Sequence, residues 1–225
     1  MPQEKDIYQA LLNGLVTGAY ENSTKLRPEY LRIDFDCSAS TIREALFRLS
    51  TVGLVDFQEQ RGFRVPKASA ERQHELTQMR IFLESEGACL SIRLGGVAWE
   101  ARLSAAHHKL SHIEMRVRSN QEYEPLFELL SKAEQEFHET LIDACGSEIH
   151  KQTHRLIYQQ FRQQLIGLEK DFEHFPENIL QHQEILEAAL DRDEDLIKSR
   201  IHAHLARNLA HPLPQKKPHW PRAEG

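Results

Sequence analysis

Four residues in the second half of the chain are spaced to share one site. Glu134 and His138 stand at i, i+4, on one face of a helix. His182 falls on the apolar stripe Ile179, Ile185, Leu186, Ala189, and His204 on the stripe Ile197, Ile201, Leu205. Both histidines are eleven residues from Asp193, where Asp191-Arg192-Asp193 turns one helix back on the next, so they reach a similar height. His202, roughly half a turn from His204, points away. A carboxylate and three imidazoles that converge in one cavity have two uses. They can satisfy one another as a hydrogen-bonded polar core, or they can present lone pairs to a divalent ion. Such donors suit Zn²⁺, Ni²⁺ and Mn²⁺ about equally. Thirteen histidines in 225 residues, none before His74, are an excess that needs an explanation. His107, His108 and His112 have no partner at such spacing and read as surface residues. Arg155 and Arg162 share a face with Tyr158 between them, and Arg80 lies on an earlier helix. Arginines of this kind either hold a carboxylate effector bidentately or pair with nearby glutamates.

The elements that carry these residues follow from periodicity. Residues 5–20 place Ile7, Leu11, Leu15 and Ala19 at helical spacing. Residues 28–36 read as a short second helix with Pro28 in its first turn. Ser38 is an N-cap for a third helix whose apolar stripe is Ile42, Ala45, Leu46, Leu49, and Gly53 ends it. Beyond Gly53 the period becomes two, giving two short strands around Gln60-Arg61-Gly62. Three helices and a hairpin are the order of a winged helix-turn-helix, predicted over residues 1–66. Residues 67–70 read as a linker. Residues 71–210 show only helical periodicity, about six helices with short connections, an all-α antiparallel bundle. The stretch 211–225, with four prolines, reads as a disordered tail. The fold class is therefore mainly α.

Thr41-Ile42-Arg43-Glu44-Ala45-Leu46 with Leu49, then Gly53-Leu54-Val55, then Arg61-Gly62-Phe63-Arg64-Val65, resembles the GntR family of bacterial transcription regulators. The resemblance implies a recognition helix whose first residues face base edges and phosphates. Ser38, Ser40, Thr41, Arg43 and Arg48 fit that surface, with Arg27 and Arg32 nearby at the preceding helix. Arg61 and Gly62 form a wing tip that can approach phosphates or the minor groove. Ala39 and Glu29 stand where many members carry arginine, so the bases read should differ.

Three later passages resemble the FCD domain of the FadR-type subfamily: Met79-Arg80-Ile81-Phe82-Leu83-Glu84, Glu134 to Leu141, and His182 to Asp193 with a closing His204-Leu205. In many such domains an acid and three histidines bind a divalent metal. The resemblance implies that Glu134, His138, His182 and His204 hold Zn²⁺, Ni²⁺ or Mn²⁺. It further implies a small organic-acid effector beside the metal, with Arg80, Arg155, Tyr158 and Arg162 as anchors. Glu134 departs from the aspartate usual in metal-binding relatives.

Composition agrees with a regulator rather than opposing it. Net charge is −6, yet residues 1–67 balance nine basic against nine acidic groups, so the acidic surplus belongs to the bundle. Cys37, Cys89 and Cys145 fit neither a C-x-x-C zinc site nor a disulfide framework. No apolar run approaches about 18 residues, and the first residues are acidic where a signal peptide would be basic. The expectation is a cytoplasmic protein that binds double-stranded operator DNA as a homodimer, responds to a small carboxylate, and has no membrane partner and no catalytic residue. The rival is a helical metalloenzyme in which the Glu/His cluster activates water. That reading lacks a separate general base and leaves the hairpin domain without a purpose.

Overall fold

A computed structural model describes residues 4–119, 124–168 and 175–209; the expected tail from residue 211 lies outside them. Helix α1 (Glu4–Thr17), strand β1 (Lys25–Leu26), helices α2 (Pro28–Asp34) and α3 (Ala39–Thr51), and strands β2 (Asp56–Gln58) and β3 (Gly62–Arg64) form the first unit. Helices α4 (Ala70–Leu94), α5 (Val97–Ser119), α6 (Glu124–Leu141), α7 (Glu148–Leu168), α8 (Phe175–Leu190) and α9 (Glu194–Ala206) form the second. None of the described helices is long and apolar enough to cross a membrane.

Ile7, Leu11 and Leu15 of α1 meet Ile42, Leu46 and Leu49 of α3 in one buried cluster, closed by Leu26, Leu54, Phe63 and Val65. Ser38 caps α3 as its sequence predicts, its Oγ accepting from the Thr41 amide at 3.1 Å. After the helix ends at Val52, Gly53 takes a φ of +70°, a conformation that glycine adopts without the clash of a β-carbon. The hairpin pairs Phe57 with Phe63 in antiparallel register. Beyond the expected hairpin, β1 joins its other side, Leu26 opposite Phe63. A two-residue strand has too little alternation to be read from sequence.

In the bundle, Leu103, Leu110, Phe137, Leu141, Phe161, Ile185, Ile197 and Ile201 share a second core. Trp99 is buried in it and donates from Nε1 to the Thr140 carbonyl at 2.9 Å. Helix α4 departs from simple amphipathicity. It buries Gln73, Thr77, Arg80, Glu84 and Ser91 as well as Leu76, Ala88 and Ile92. A helix that buries charge on one stripe needs partners there, and the other helices supply them.

Helix α7 also touches the first unit. Gln160 donates to the Val52 carbonyl (3.0 Å) and Gln163 to that of Leu54 (2.9 Å). Arg72 donates to the Gly53 carbonyl (3.3 Å) and to Gln160 Oε1 (3.0 Å). The carbonyls that follow a helix C-terminus have no partner within the helix; here the bundle caps those behind α3.

Candidate DNA-reading face and buried histidine site

The burial of Ile42, Ala45, Leu46 and Leu49 turns Ser40, Arg43, Glu44 and Phe47 of α3 outward, all exposed. Ser38 is exposed at the start of the same helix, and its hydroxyl lies 2.8 Å from that of Thr41. Arg43 approaches Glu29 only to 3.8 Å, with both side chains mostly in water; such a pair contributes little and leaves the guanidinium available. Arg27 lies over the Tyr30 ring, 5.4 Å from its centroid, and Arg32 is exposed in the last turn of α2. Arg48 sits on the flank of α3, its guanidinium 4.6 Å from the centroid of the Tyr8 ring on α1. Arg61 is exposed at the wing tip, and Gly62 beside it has a φ of +73°. Arg64, which the motif reading passed over, is exposed on β3 and donates to the Ser23 carbonyl at 3.2 Å. The period of two, with Phe63 buried, marks it as outward.

The second set of candidates converges at the centre of the bundle. His138, His182 and His204 are buried, each offering one nitrogen, and those three nitrogens lie within 4.8 Å of one another. Their ring centroids are 4.6 Å apart for His182 and His204, and 5.4 Å from His138 to each of the others. The equal distance of His182 and His204 from the Asp193 turn did set them at one height. His202 is exposed, as its phase requires. Burial pushes the His138 imidazolium down to about 4, and burial with His182 and His138 nearby drives His204 well below the ordinary histidine range. Both are neutral near pH 7 and carry a free lone pair.

Glu134 does not join them as expected. It accepts from Arg162 Nη1 at 3.0 Å, and it is not among the three residues of the cluster. Burial pushes its carboxyl up, but Arg162 and Arg80 outweigh that and hold it below the usual range. Its carboxylate faces α7.

The buried arginine pair was only half visible in the sequence. Arg80 donates to Glu84 at 2.5 Å and its guanidinium carbon lies 4.6 Å from the centroids of both Tyr158 and Phe161. Glu84 also meets His138 Nδ1 (2.9 Å) and His154 Nε2 (3.1 Å). Burial opposes its ionisation, but Arg80 and these neighbours hold it well below the usual carboxyl range. Arg80 Nη2 and the Tyr158 hydroxyl are buried without a hydrogen-bond partner among the described residues. Burial and Glu134 raise the Tyr158 phenol well above its ordinary range, so it remains a donor.

Arg155 is a correction. It is exposed and makes a two-pronged pair with Glu139, both contacts at 3.0 Å. The buried face of α7 is centred on His154, Tyr158 and Phe161; Arg155, in phase with Arg162 but two turns earlier, meets Glu139 at the surface instead. His154 takes that place, and its spacing of four from Tyr158 was the available signal. His107 is a second correction. It is buried, because α5 packs through the stripe Leu103, His107, Leu110, Glu114, Val117, whereas His108 and His112 are exposed as expected. The alternating spacing of three and four in that stripe marks both His107 and Glu114 as inward.

Comparison with known proteins agrees with both units. The "FCD domain" family matches residues 75–207, and "Bacterial regulatory proteins, gntR family" matches residues 3–65. The HTH-type transcriptional regulator BphR of Paraburkholderia xenovorans (strain LB400) is 34% identical over 68% of this chain, which spans 62% of that relative. The HTH-type transcriptional repressor GlaR of Escherichia coli (strain K12) is 28% identical over 89% of this chain and 91% of its own. Among solved structures, E. coli McbR/YncC superposes with a TM-score of 0.77 at 16% identity, covering 93% of this chain and 96% of that one. At that identity the likeness shows the fold.

Proposed function

The chain belongs to the gntR family of bacterial regulatory proteins, DNA-binding transcription regulators and not enzymes, and it carries an FCD domain; from this premise we propose that a small organic acid bound in the bundle, beside a divalent metal, modulates its grip on operator DNA. The observation that carries the reading is the double occupation of α7. Tyr158 and Arg162 on its buried side belong to the polar site, while Gln160 and Gln163 hold the carbonyls behind the recognition helix α3. A shift of α7 on binding would therefore move the end of α3.

The donor set fits a metal. His138 Nε2 and His182 Nε2 are buried with no hydrogen-bond partner among the described residues, and neutral imidazoles are the form that ligates. His138, His182 and His204 would hold Zn²⁺, Ni²⁺ or Mn²⁺, and the bound ion would supply a Lewis-acid site for an anion. Glu134 serves Arg162 instead. Arg80 and Tyr158 offer buried donors at one side of this site, suited to a carboxylate. The protein would act as a homodimer, since a palindromic operator takes two linked reading heads.

Selection from a random DNA pool tests the reading. The expected product is a two-fold symmetric site, whose affinity changes when one member of a panel of mono- and dicarboxylates is added. Gln163→Ala should keep basal binding and lose the response, because the Leu54 carbonyl is released from α7. A pool that yields no enriched sequence, or an operator indifferent to every acid, would remove the regulatory half of the reading.

A further inference from the structure

The three histidines are alike in one respect beyond their convergence. Each has Nδ1 within 3.1 Å of a side-chain oxygen: His182 hydrogen-bonds to Glu114 Oε1 (2.9 Å) and His204 to Gln181 Oε1 (3.1 Å), while His138 lies 2.9 Å from Glu84 Oε2 outside hydrogen-bond geometry. An ionised carboxylate only accepts, so His182 donates from Nδ1. The Gln181 oxygen also receives Arg207 Nη2 at 3.0 Å. Arginine can only donate, so that atom is the amide oxygen and His204 donates too. The rings of His182 and His204 are thereby set with the Nε2 lone pair free.

Two of these acceptors have other cationic company. Glu84 is paired with Arg80, and Gln181 with Arg207. Glu114 has none. Its side chain is 2% exposed, its partner among the described residues is His182, and its Oε2 is buried with no hydrogen bond. A carboxylate is not removed from water without a compensating charge. The other nitrogen of the His182 ring, Nε2, is also buried and unpartnered among the described residues. Oε2 at one end and Nε2 at the other thus lack a partner; a cation at Nε2 would take up that lone pair and balance the carboxylate charge across the ring.

We propose that Glu114 is the positioning residue of the metal centre: it fixes the tautomer of His182, strengthens Nε2 as a donor, and has its own charge balanced by the ion. This rests on the metal reading above. Carboxylates placed in this way behind a ligating imidazole are worth about 10–100-fold in metal affinity.

Full-length protein stripped with chelator and titrated with Co²⁺ and Zn²⁺ in competition with a chromophoric chelator tests it. Wild type should bind, with Co²⁺ visible absorption reporting the site. Glu114→Ala should weaken binding about 10–100-fold, and Glu114→Gln, which keeps an acceptor and the side-chain volume, by less. The unfolding midpoint separates this role from a merely structural one. Without metal, Glu114→Gln should be no less stable than wild type, since it removes an unbalanced buried charge. With saturating Zn²⁺ it should gain less stability than wild type does. If Glu114→Ala fails to fold, the glutamine variant carries both comparisons. Wild-type affinity and an unchanged Co²⁺ spectrum in Glu114→Gln, with an equal Zn²⁺-induced rise in midpoint, would overturn the proposal while the metal reading stood. A wild type that takes up neither ion would remove both.

Discussion

The winged helix and the bundle place their working groups on opposite sides of the same boundary. In the first unit an apolar core holds α3, and the candidate DNA contacts stand outside it with few partners; the Arg43 side chain is 63% exposed. In the second unit the working groups are part of the core. Arg80, Glu84, His138, His154, His182 and His204 are all buried among the leucines and phenylalanines of six helices. Apart from the N-cap Ser38, the reading face can therefore change its chemistry with little effect on stability. The buried polar site cannot, because Arg80 and Glu84 hold one another out of water and the loss of either strands the other. A regulator built this way can vary its operator easily and its buried polar site only through compensated changes.

The contrast is sharpest between two arginines. Arg80→Met should destabilise the protein by about 3–5 kcal/mol, because Glu84 would remain buried with its strongest partner gone. Urea unfolding of the metal-free chain measures it. Arg43→Met should stay within about 0.5 kcal/mol in the same assay, since its contact to Glu29 is long and wet. Equal effects of the two would dissolve the distinction between the units.

The same boundary decides how much the sequence disclosed. In the winged helix, position in a local motif is enough: Ser38 as cap, Gly53 as terminator and Gly62 in the wing tip are all read within a few residues of one another. In the bundle, helical phase placed His138, His182 and His204 correctly, because a stripe of aliphatic neighbours states which way each faces. It failed where the answer lay on another helix. Whether Glu134 turns to the histidines or to Arg162 depends on α7, twenty-eight residues away. Arg155 has the same phase as Arg162 but lies two turns earlier, where Glu139 waits at the surface. Glu114 and His107 were on a readable stripe, yet polar residues on a buried face are usually taken for the exception they are here.

Loss of operator affinity is the next effect in size. Arg43→Ala should cost roughly 1–3 kcal/mol of binding if the guanidinium reads a base, and should relax preference at one operator position. Arg61→Ala, from the wing tip, should instead weaken binding across sequences and flatten the salt dependence. Fluorescence anisotropy at several salt concentrations, on selected and scrambled sites, distinguishes the two. If both variants bind the selected operator as wild type does, α3 and the wing are not the docking surface, and the exposed side of the first unit has some other use.

The smallest expected effect bears on the one residue where the two kinds of role overlap. Ser38 is exposed on the candidate reading face, but its Oγ also accepts from the Thr41 amide at 3.1 Å and lies 2.8 Å from the Thr41 hydroxyl. Removing an N-cap oxygen leaves a first-turn N–H without its partner, at a cost of about 1 kcal/mol. Ser38→Ala should therefore lower unfolding stability by about that amount and weaken operator binding at the same time. Ser38→Asn keeps a capping oxygen, so stability should return to within a few tenths of a kcal/mol. Any deficit in DNA binding that persists in Ser38→Asn then belongs to the contact with DNA, because α3 is capped again. If the asparagine variant recovers both properties, Ser38 acts by starting the recognition helix. If alanine leaves stability untouched, the cap contributes nothing and the separation of fold from function in this unit is complete even at its first residue.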